Sequence, residues 1–128
     1  MKFENVIIGD QVLRGDQAVE ITAIISNNQI CAKNYEHCYS ADELNEIKLT
    51  DEILEKNFTR SKDRTFESTF DISRMWRIWP NPNYGYILAT LTTDEFGGGF
   101  YVPCIPCPTV SKFNLFLKLL EIDKKIEL

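Results

Sequence analysis

The chain is poor in the residues that most catalytic and phosphate-binding sites require. His37 is its only histidine, so a mechanism that needs an imidazole base has one candidate. Ser40 and Asp42 lie nearby in sequence, but no nucleophile motif surrounds them. Positive charge is scarce as well, with 14 Lys/Arg against 19 Asp/Glu and a net charge of −5. Broad binding to nucleic acid or to an anionic membrane needs a basic face, and this balance disfavours it. No run approaches the ~18 consecutive apolar residues of a membrane span, and the opening "MKFENVIIGD" has no apolar stretch of signal-peptide length. These absences predict a soluble, cytoplasmic protein with no membrane partner, whose four cysteines stay as thiols. Gly97–Gly99 lacks the Gly-Lys-Ser/Thr that completes a phosphate loop and leads into the strand-like "FYVP", so it reads as a hairpin turn.

Apolar material is plentiful. With 44% hydrophobic residues, including eight Phe, five Tyr and two Trp, the chain can fill a core without disulfides or metal. Its charge is unevenly spread. Residues 1–59 hold five Lys/Arg against eleven Asp/Glu, whereas residues 60–77 hold five against three. That middle segment is the one place where a nucleic-acid contact would find support.

Residues 6–49 read as five short strands joined by tight turns. Gly9-Asp10 leads into the apolar strand around Val12. In "AVEITAII", Val19, Ile21 and Ala23 alternate with Glu20, Thr22 and Ile24, the period of a half-buried strand. "SNNQ" is turn chemistry, and "ICAKN", "HCYS" and a short helical turn in "ADELNEIKL" follow before one last strand. This pattern predicts a small closed or nearly closed barrel over residues 1–49. The run "GDQV…VEITAI…QICA…DELNEI" resembles SH3-like barrels, in which a Gly-Asp pair enters the first long strand.

Residues 50–128 read as a helix, an antiparallel meander and a second helix, packed with the barrel as one unit. Thr50 is a natural N-cap for "LTDEILEKNF", and Asp51 and Glu52 complement the helix dipole. In the meander, Phe66, Ser68, Phe70 and Ile72 share one face, and "RMWRIW" sets Trp76 and Ile78 opposite Arg77 and Trp79. "PNPN" reads as a turn, "YGYILATLT" as the third strand and "FYVP" as the last. In "TVSKFNLFLKLLEI", Val110, Phe113, Phe116, Leu117 and Leu120 recur at helical steps behind an N-cap at Thr109. Such a stripe predicts packing against the apolar face of the meander, an α+β layer.

In "IIGDQV" (7–12), "IKLTDEILEKNF" (47–58) and "VSKFNLFLKLLEI" (110–122), the chain resembles a family of short, uncharacterised bacterial proteins found in anaerobe genomes and near prophage genes. The family's last helix carries a His and a Leu-Gln-Asn-Leu core where this chain has Ser111 and "FNLF". The resemblance implies the same order of elements and no known catalytic residues.

Two stretches carry candidate chemistry. Cys104-x-x-Cys107 has the spacing of half a zinc site, but Pro106 and Pro108 remove backbone donors that a zinc knuckle uses. A four-ligand site would have to recruit Cys31, Cys38 or His37. Cys-x-Pro-Cys ahead of a helix also matches the local order of thioredoxin-like enzymes, yet only 21 residues follow Cys107, too few for that fold. The favoured reading is a stiff joint between strand and helix. If a metal is present, Cys104 and Cys107 are its ligands; otherwise no cofactor is expected. "SRMWRIWPNPNYGY" sets Arg74, Arg77, Trp79, Tyr84 and Tyr86 in the least acidic part of the chain. Aromatic and Arg side chains anchor protein interfaces and also stack single-stranded bases. The sequence therefore predicts a non-catalytic binding or assembly module with a protein partner or itself. Nucleic-acid binding through residues 60–86 is the first alternative, and a zinc or thiol activity the second.

Overall fold

The computed structural model describes residues 1–34, 37–62, 68–124 and 126–128. Among these residues the fold is α+β, with two five-stranded antiparallel sheets and two α-helices. The chain divides into two compact units, Met1–Lys48 with Thr109–Asn114, and Leu49–Pro108 with Leu115–Leu128.

In the first unit, β1 (Gln11–Arg14), β2 (Gln17–Ser26), β3 (Gln29–Ala32), β4 (Cys38–Tyr39) and β5 (Leu44–Glu46) form one sheet in the order β4-β3-β2-β1-β5. Its end strands, β4 and β5, do not pair with each other among the described residues, so the hydrogen bonding describes an open sheet where a closed or nearly closed barrel was expected. Gly15-Asp16 turns β1 into β2, and the φ of +59° at Gly15 meets the demand of a type II′ hairpin at its first central position. Val19 and Ile21 are buried as the alternation predicts. The alternation then changes phase. Ile21 pairs with Ala32 and Ala23 with Cys31, so Thr22 is the extra residue of a bulge, and Ile24 rather than Ala23 continues onto the core. That core comprises Val6, Val12, Val19, Ile21, Ile30, Ala32, Tyr39, Ala41 and Leu44.

In the second unit, Thr50 caps α1 (Asp51–Asn57) as expected, its side-chain oxygen accepting from the Ile53 N–H at 3.3 Å. β6 (Thr59–Arg60), β7 (Phe70–Asp71), β8 (Trp76–Asn81), β9 (Gly85–Thr93) and β10 (Gly99–Pro106) follow in a simple meander. The part of the expected first strand around Phe66 lies outside the described residues. Phe70, Ile78 and Leu88 stand opposite one another across β7, β8 and β9, and each is at most 1% exposed.

Pro80, expected in a turn, and Pro106, expected in an extended joint after the last strand, both sit in strands, for local reasons. Pro80 lies inside β8 opposite Tyr86. The Tyr86 carbonyl accepts from Cys107 N–H on the far side, so Pro80 faces Tyr86 in a non-hydrogen-bonded pair, and its missing N–H points where β7 no longer runs. The turn itself falls two residues later, where Asn81 Oδ1 accepts from the N–H groups of Asn83 and Tyr84. β10 continues past "FYVP" through Cys104, Ile105 and Pro106 because it is an edge strand with one paired side. The register shifts between Pro103 and Ile105, so Cys104 is the extra residue of a bulge.

The C-terminal helix α2 (Val110–Leu119) is capped by Thr109, whose Oγ1 accepts from Lys112 N–H at 3.2 Å. It ends three residues before Ile122. Glu121 takes a left-handed conformation, and the bonds Glu121 N to Lys118 O and Ile122 N to Leu117 O close a Schellman motif. Val110 and Phe113 belong to the first unit, and Leu117 to the second.

Asn57 ends α1 in a buried position. Its amide donates to Ile53 O and to Glu127 O, and its oxygen accepts from Glu127 N–H at 2.7 Å, which ties the segment carrying the buried Ile126 to the helix. Asn57→Ala should cost about 1–2 kcal/mol, read as a lower urea midpoint, because the bonds lost are only partly shielded from water. Asn57→Asp should cost a similar amount, since it removes the donors and keeps the acceptor.

Candidate functional site

The five candidate residues do not converge. Arg74 lies in the exposed turn before β8, and Tyr84, 50% exposed, in the turn after it. Six residues of strand separate these turns, about 20 Å at 3.3 Å per residue. Arg77 and Trp79 share one face of β8. Tyr86 lies on the other face opposite Pro80, and it is 8% exposed.

Arg77 is the best-ordered member. Its Nε donates to Asp71 Oδ1 at 2.9 Å, and its guanidinium lies 4.1 Å from the centre of the Tyr101 ring. Asp71 is the direct cross-strand partner of Arg77, so sheet register creates the pair. The Tyr101 hydroxyl in turn donates to the Arg74 carbonyl at 3.3 Å, joining β10 to the turn before β8. Only 19% of the Arg77 side chain is exposed. Its charge and its flat face are therefore already engaged within the sheet.

The most accessible apolar surface lies elsewhere. Phe96 is 94% exposed, Phe100 48% and Val102 38%, and Met75, whose carbonyl accepts from Leu91 N–H, is exposed in the turn before β8. Val102 stands opposite Thr90 and Thr90 opposite Trp76, so Val102 and the half-buried Trp76 occupy one cross-strand row. Phe100 with Thr92 forms the next row on the same face, which continues the buried Ile78–Leu88 row. This strip was not singled out in the sequence. Its signal was the pair of phenylalanines that flank the glycine run.

The glycine run is a hairpin, and its donors are spoken for. Asp94 Oδ1 accepts from Phe96 N–H at 2.9 Å and from Gly98 N–H at 2.8 Å, and Gly97 carries a φ of +81°. A Cβ on Gly98 would come within 2.8 Å of the Asp94 carboxylate. The loop binds its own carboxylate and holds Phe96 at its tip.

The cysteines separate into two kinds. Cys104 is exposed on the bulge of β10 with its Sγ 3.6 Å from the Leu88 carbonyl, while Cys107 is fully buried and its N–H donates to Tyr86 O. Among the described residues no three of His, Cys, Asp and Glu gather as a metal site would require. Cys31 and Cys38, by contrast, are cross-strand partners whose sulfurs are 3.4 Å apart. The Cys38 sulfur, by hydrogen bonding above all, pushes the Cys31 thiol above its ordinary pKa.

A partly buried polar cluster lies at the start of α1. The Tyr86 hydroxyl donates to Asp51 Oδ1, and Ser68 Oγ donates to Asp51 Oδ2 at 2.8 Å. Burial first, then the bond to Asp51 and its negative charge, raise the Tyr86 phenol well above the usual range. A phenol held neutral against a carboxylate is a structural bond, since it offers neither a free base nor a free acid near neutral pH. No family model, curated protein or solved structure matches the chain. No helix among the described residues is long and apolar enough to cross a membrane.

Proposed function

We propose that the chain is a non-catalytic binding or assembly module for a protein partner, and that a second copy of itself is the first partner to test. The observation that carries this reading is the uncovered pair Phe100 and Val102 beside Trp76 on the edge strand of the second sheet, with Phe96 exposed in the hairpin that leads into that strand. Adjacent large apolar side chains left in water on one face mark a surface that gains by being covered. Arg74, in the turn next to Trp76, would serve as polar margin, where contacts tune specificity more than affinity, and Tyr84 at the far end of β8 lies apart from this strip.

Nucleic-acid binding through residues 60–86 draws less support. Arg77 already faces Asp71 and Tyr101, and a cation so engaged neutralises no phosphate without breaking that pair. The zinc reading also draws little support, because Cys104 and Cys107 differ so sharply in exposure. For the first unit we favour an SH3-like class. Its long, bulged β2, its edge strand β5 beside β1 and the 3-10 turn Ala41–Glu43 ahead of β5 all support that class. Membership of the bacterial family, a boundary near residue 49 and a cytoplasmic location remain proposals of the same reading.

Sedimentation velocity of the untagged chain, over a concentration series at low and high salt, tests the function. Salt-tolerant association is expected, and Phe100→Asp should weaken it about tenfold or more. Association that collapses with added salt and is replaced by oligonucleotide binding would transfer the reading to nucleic acid. A monomer at every concentration would overturn self-assembly.

A further inference from the structure

We infer that Cys31 and Cys38 form a redox-convertible dithiol, which a low-molecular-weight disulfide oxidises to a cross-strand disulfide on the first sheet. The placement comes from register. Cys31 on β3 stands directly opposite Cys38 on β4, so both side chains leave the sheet on one face. Direct antiparallel partners have Cα atoms about 4.5–5.5 Å apart. A disulfide spans about 4.4–6.8 Å, so the backbone is already within range. The sulfurs are 3.4 Å apart, and rotation about the side-chain bonds must close a gap of a little over 1 Å to reach the bonded ~2.05 Å.

Access separates this pair from the other two cysteines. Cys38 is exposed and Cys31 half-buried, whereas Cys107 is sealed in the second unit and Cys104 has no cysteine as its register partner. The "C-x-x-C" spacing that draws the eye in the sequence is thus the less competent pair, and the pair six residues apart is the apposed one. β4 is only two residues long and pairs with β3 alone among the described residues, so a bond between these side chains would add a covalent tie to an edge that the buried Tyr39 anchors.

The chemistry is a two-step exchange. The exposed Cys38, as thiolate, attacks one sulfur of the small disulfide. One small thiolate leaves and takes up a proton, and a mixed disulfide remains on Cys38. Cys31, as thiolate, then attacks the Cys38 sulfur, expels the second small thiol and forms the Sγ–Sγ bond. The protein loses two protons and two electrons, which the small disulfide takes up as it is reduced to two thiols. The raised affinity of Cys31 for its proton fits the order in which Cys38 attacks first. Exposure and the short closed loop make the bond a reversible one.

The test equilibrates the native, untagged chain with glutathione disulfide and glutathione over a range of ratios, followed by maleimide blocking, intact mass and peptide mapping. Oxidation is expected to yield protein lighter by two hydrogens, with the Cys31 and Cys38 peptides joined and Cys107 unblocked until the protein is denatured. The thermal midpoint should rise by roughly 5–10 °C and return on reduction. Cys104→Ser should leave this behaviour intact, and Cys38→Ser or Cys31→Ser should stop at a single glutathione adduct on the remaining partner. A wild-type chain that accumulates separate glutathione adducts on Cys31 and Cys38, or that joins either of them to Cys104, would overturn the proposal. The wild-type measurement needs no variant to fold, and it succeeds or fails whatever partner the second unit binds.

Discussion

Replacing Phe70 by alanine is expected to lower the unfolding free energy by about 3–5 kcal/mol. The ring is completely buried, and it is the core-facing side chain of a two-residue strand whose other member, Asp71, is only half-buried and bonded to Arg77. β7 contributes two residues to the sheet, and Phe70 is the one that pairs with Arg60 on β6 and with Ile78 on β8. On the core face it begins a row that runs through Ile78 and Leu88 to the half-buried Ile105 of the edge strand. The Arg60 guanidinium lies 5.2 Å from the ring centre and adds a weaker attraction. Truncation therefore loses the transfer free energy of an aromatic side chain and opens a void that flat, hydrogen-bonded strands cannot close. Urea titrations followed by tryptophan fluorescence will read the effect directly, since Trp76 and Trp79 both lie on β8. Phe96→Ala, at the exposed hairpin tip, should change stability by no more than about 0.5 kcal/mol. Equal losses for the two variants would mean that the row is not the core of this sheet.

The contrast between those two phenylalanines marks where sequence reasoning succeeded and where it stopped. Periodicity located β2, the meander and α2, and capping chemistry placed Thr50 and Thr109 at helix starts, because those signals act over a few adjacent residues. The bulge at Thr22 was invisible, since an extra residue in one strand is defined only by the strand opposite. Pro80 was read as part of a turn and Pro106 as part of an extended joint beyond the last strand, because the sequence does not say which strand edges lack a neighbour. The Arg and aromatic residues of 74–86 formed one group only along the chain, and pleating sent Tyr86 to the buried face and Trp79 to the other. The pairs that matter most in the structure are long-range. Asn57 with Glu127, Arg77 with Tyr101 and Asp51 with Tyr86 are joined by topology, and no local pattern announces them.

The last of these pairs leads to the second large effect. Asp51→Ala is expected to cost about 2–3 kcal/mol, because it strands two donors at once. The Tyr86 hydroxyl sits where little water reaches it, and the carboxylate is its acceptor. Ser68 Oγ donates to the other oxygen of the same carboxylate, so the two contacts are coupled through one charge. Asp51 is also the first residue of α1, where a negative charge complements the helix dipole, and an alanine gives that up as well. Asp51→Asn should fall between wild type and alanine. It keeps an oxygen for one donor and turns an amide N–H₂ toward the other. The phenol adds a dependence on pH with a definite sign. Its folded-state pKa is raised, so the stabilisation is whole below the unfolded tyrosine value of about 10 and is lost as pH rises from there toward the folded value. Chemical denaturation at neutral pH and again above pH ~10 separates the contributions. Tyr86→Phe should be less stable than wild type at neutral pH, and the gap should narrow at the alkaline end, where wild type must either hold an unfavourable proton or bury a phenolate beside a carboxylate. A gap that stayed constant across that range would show that the hydroxyl ionises without disturbing the fold, and the bond to Asp51 would then contribute little to holding α1 on the sheet.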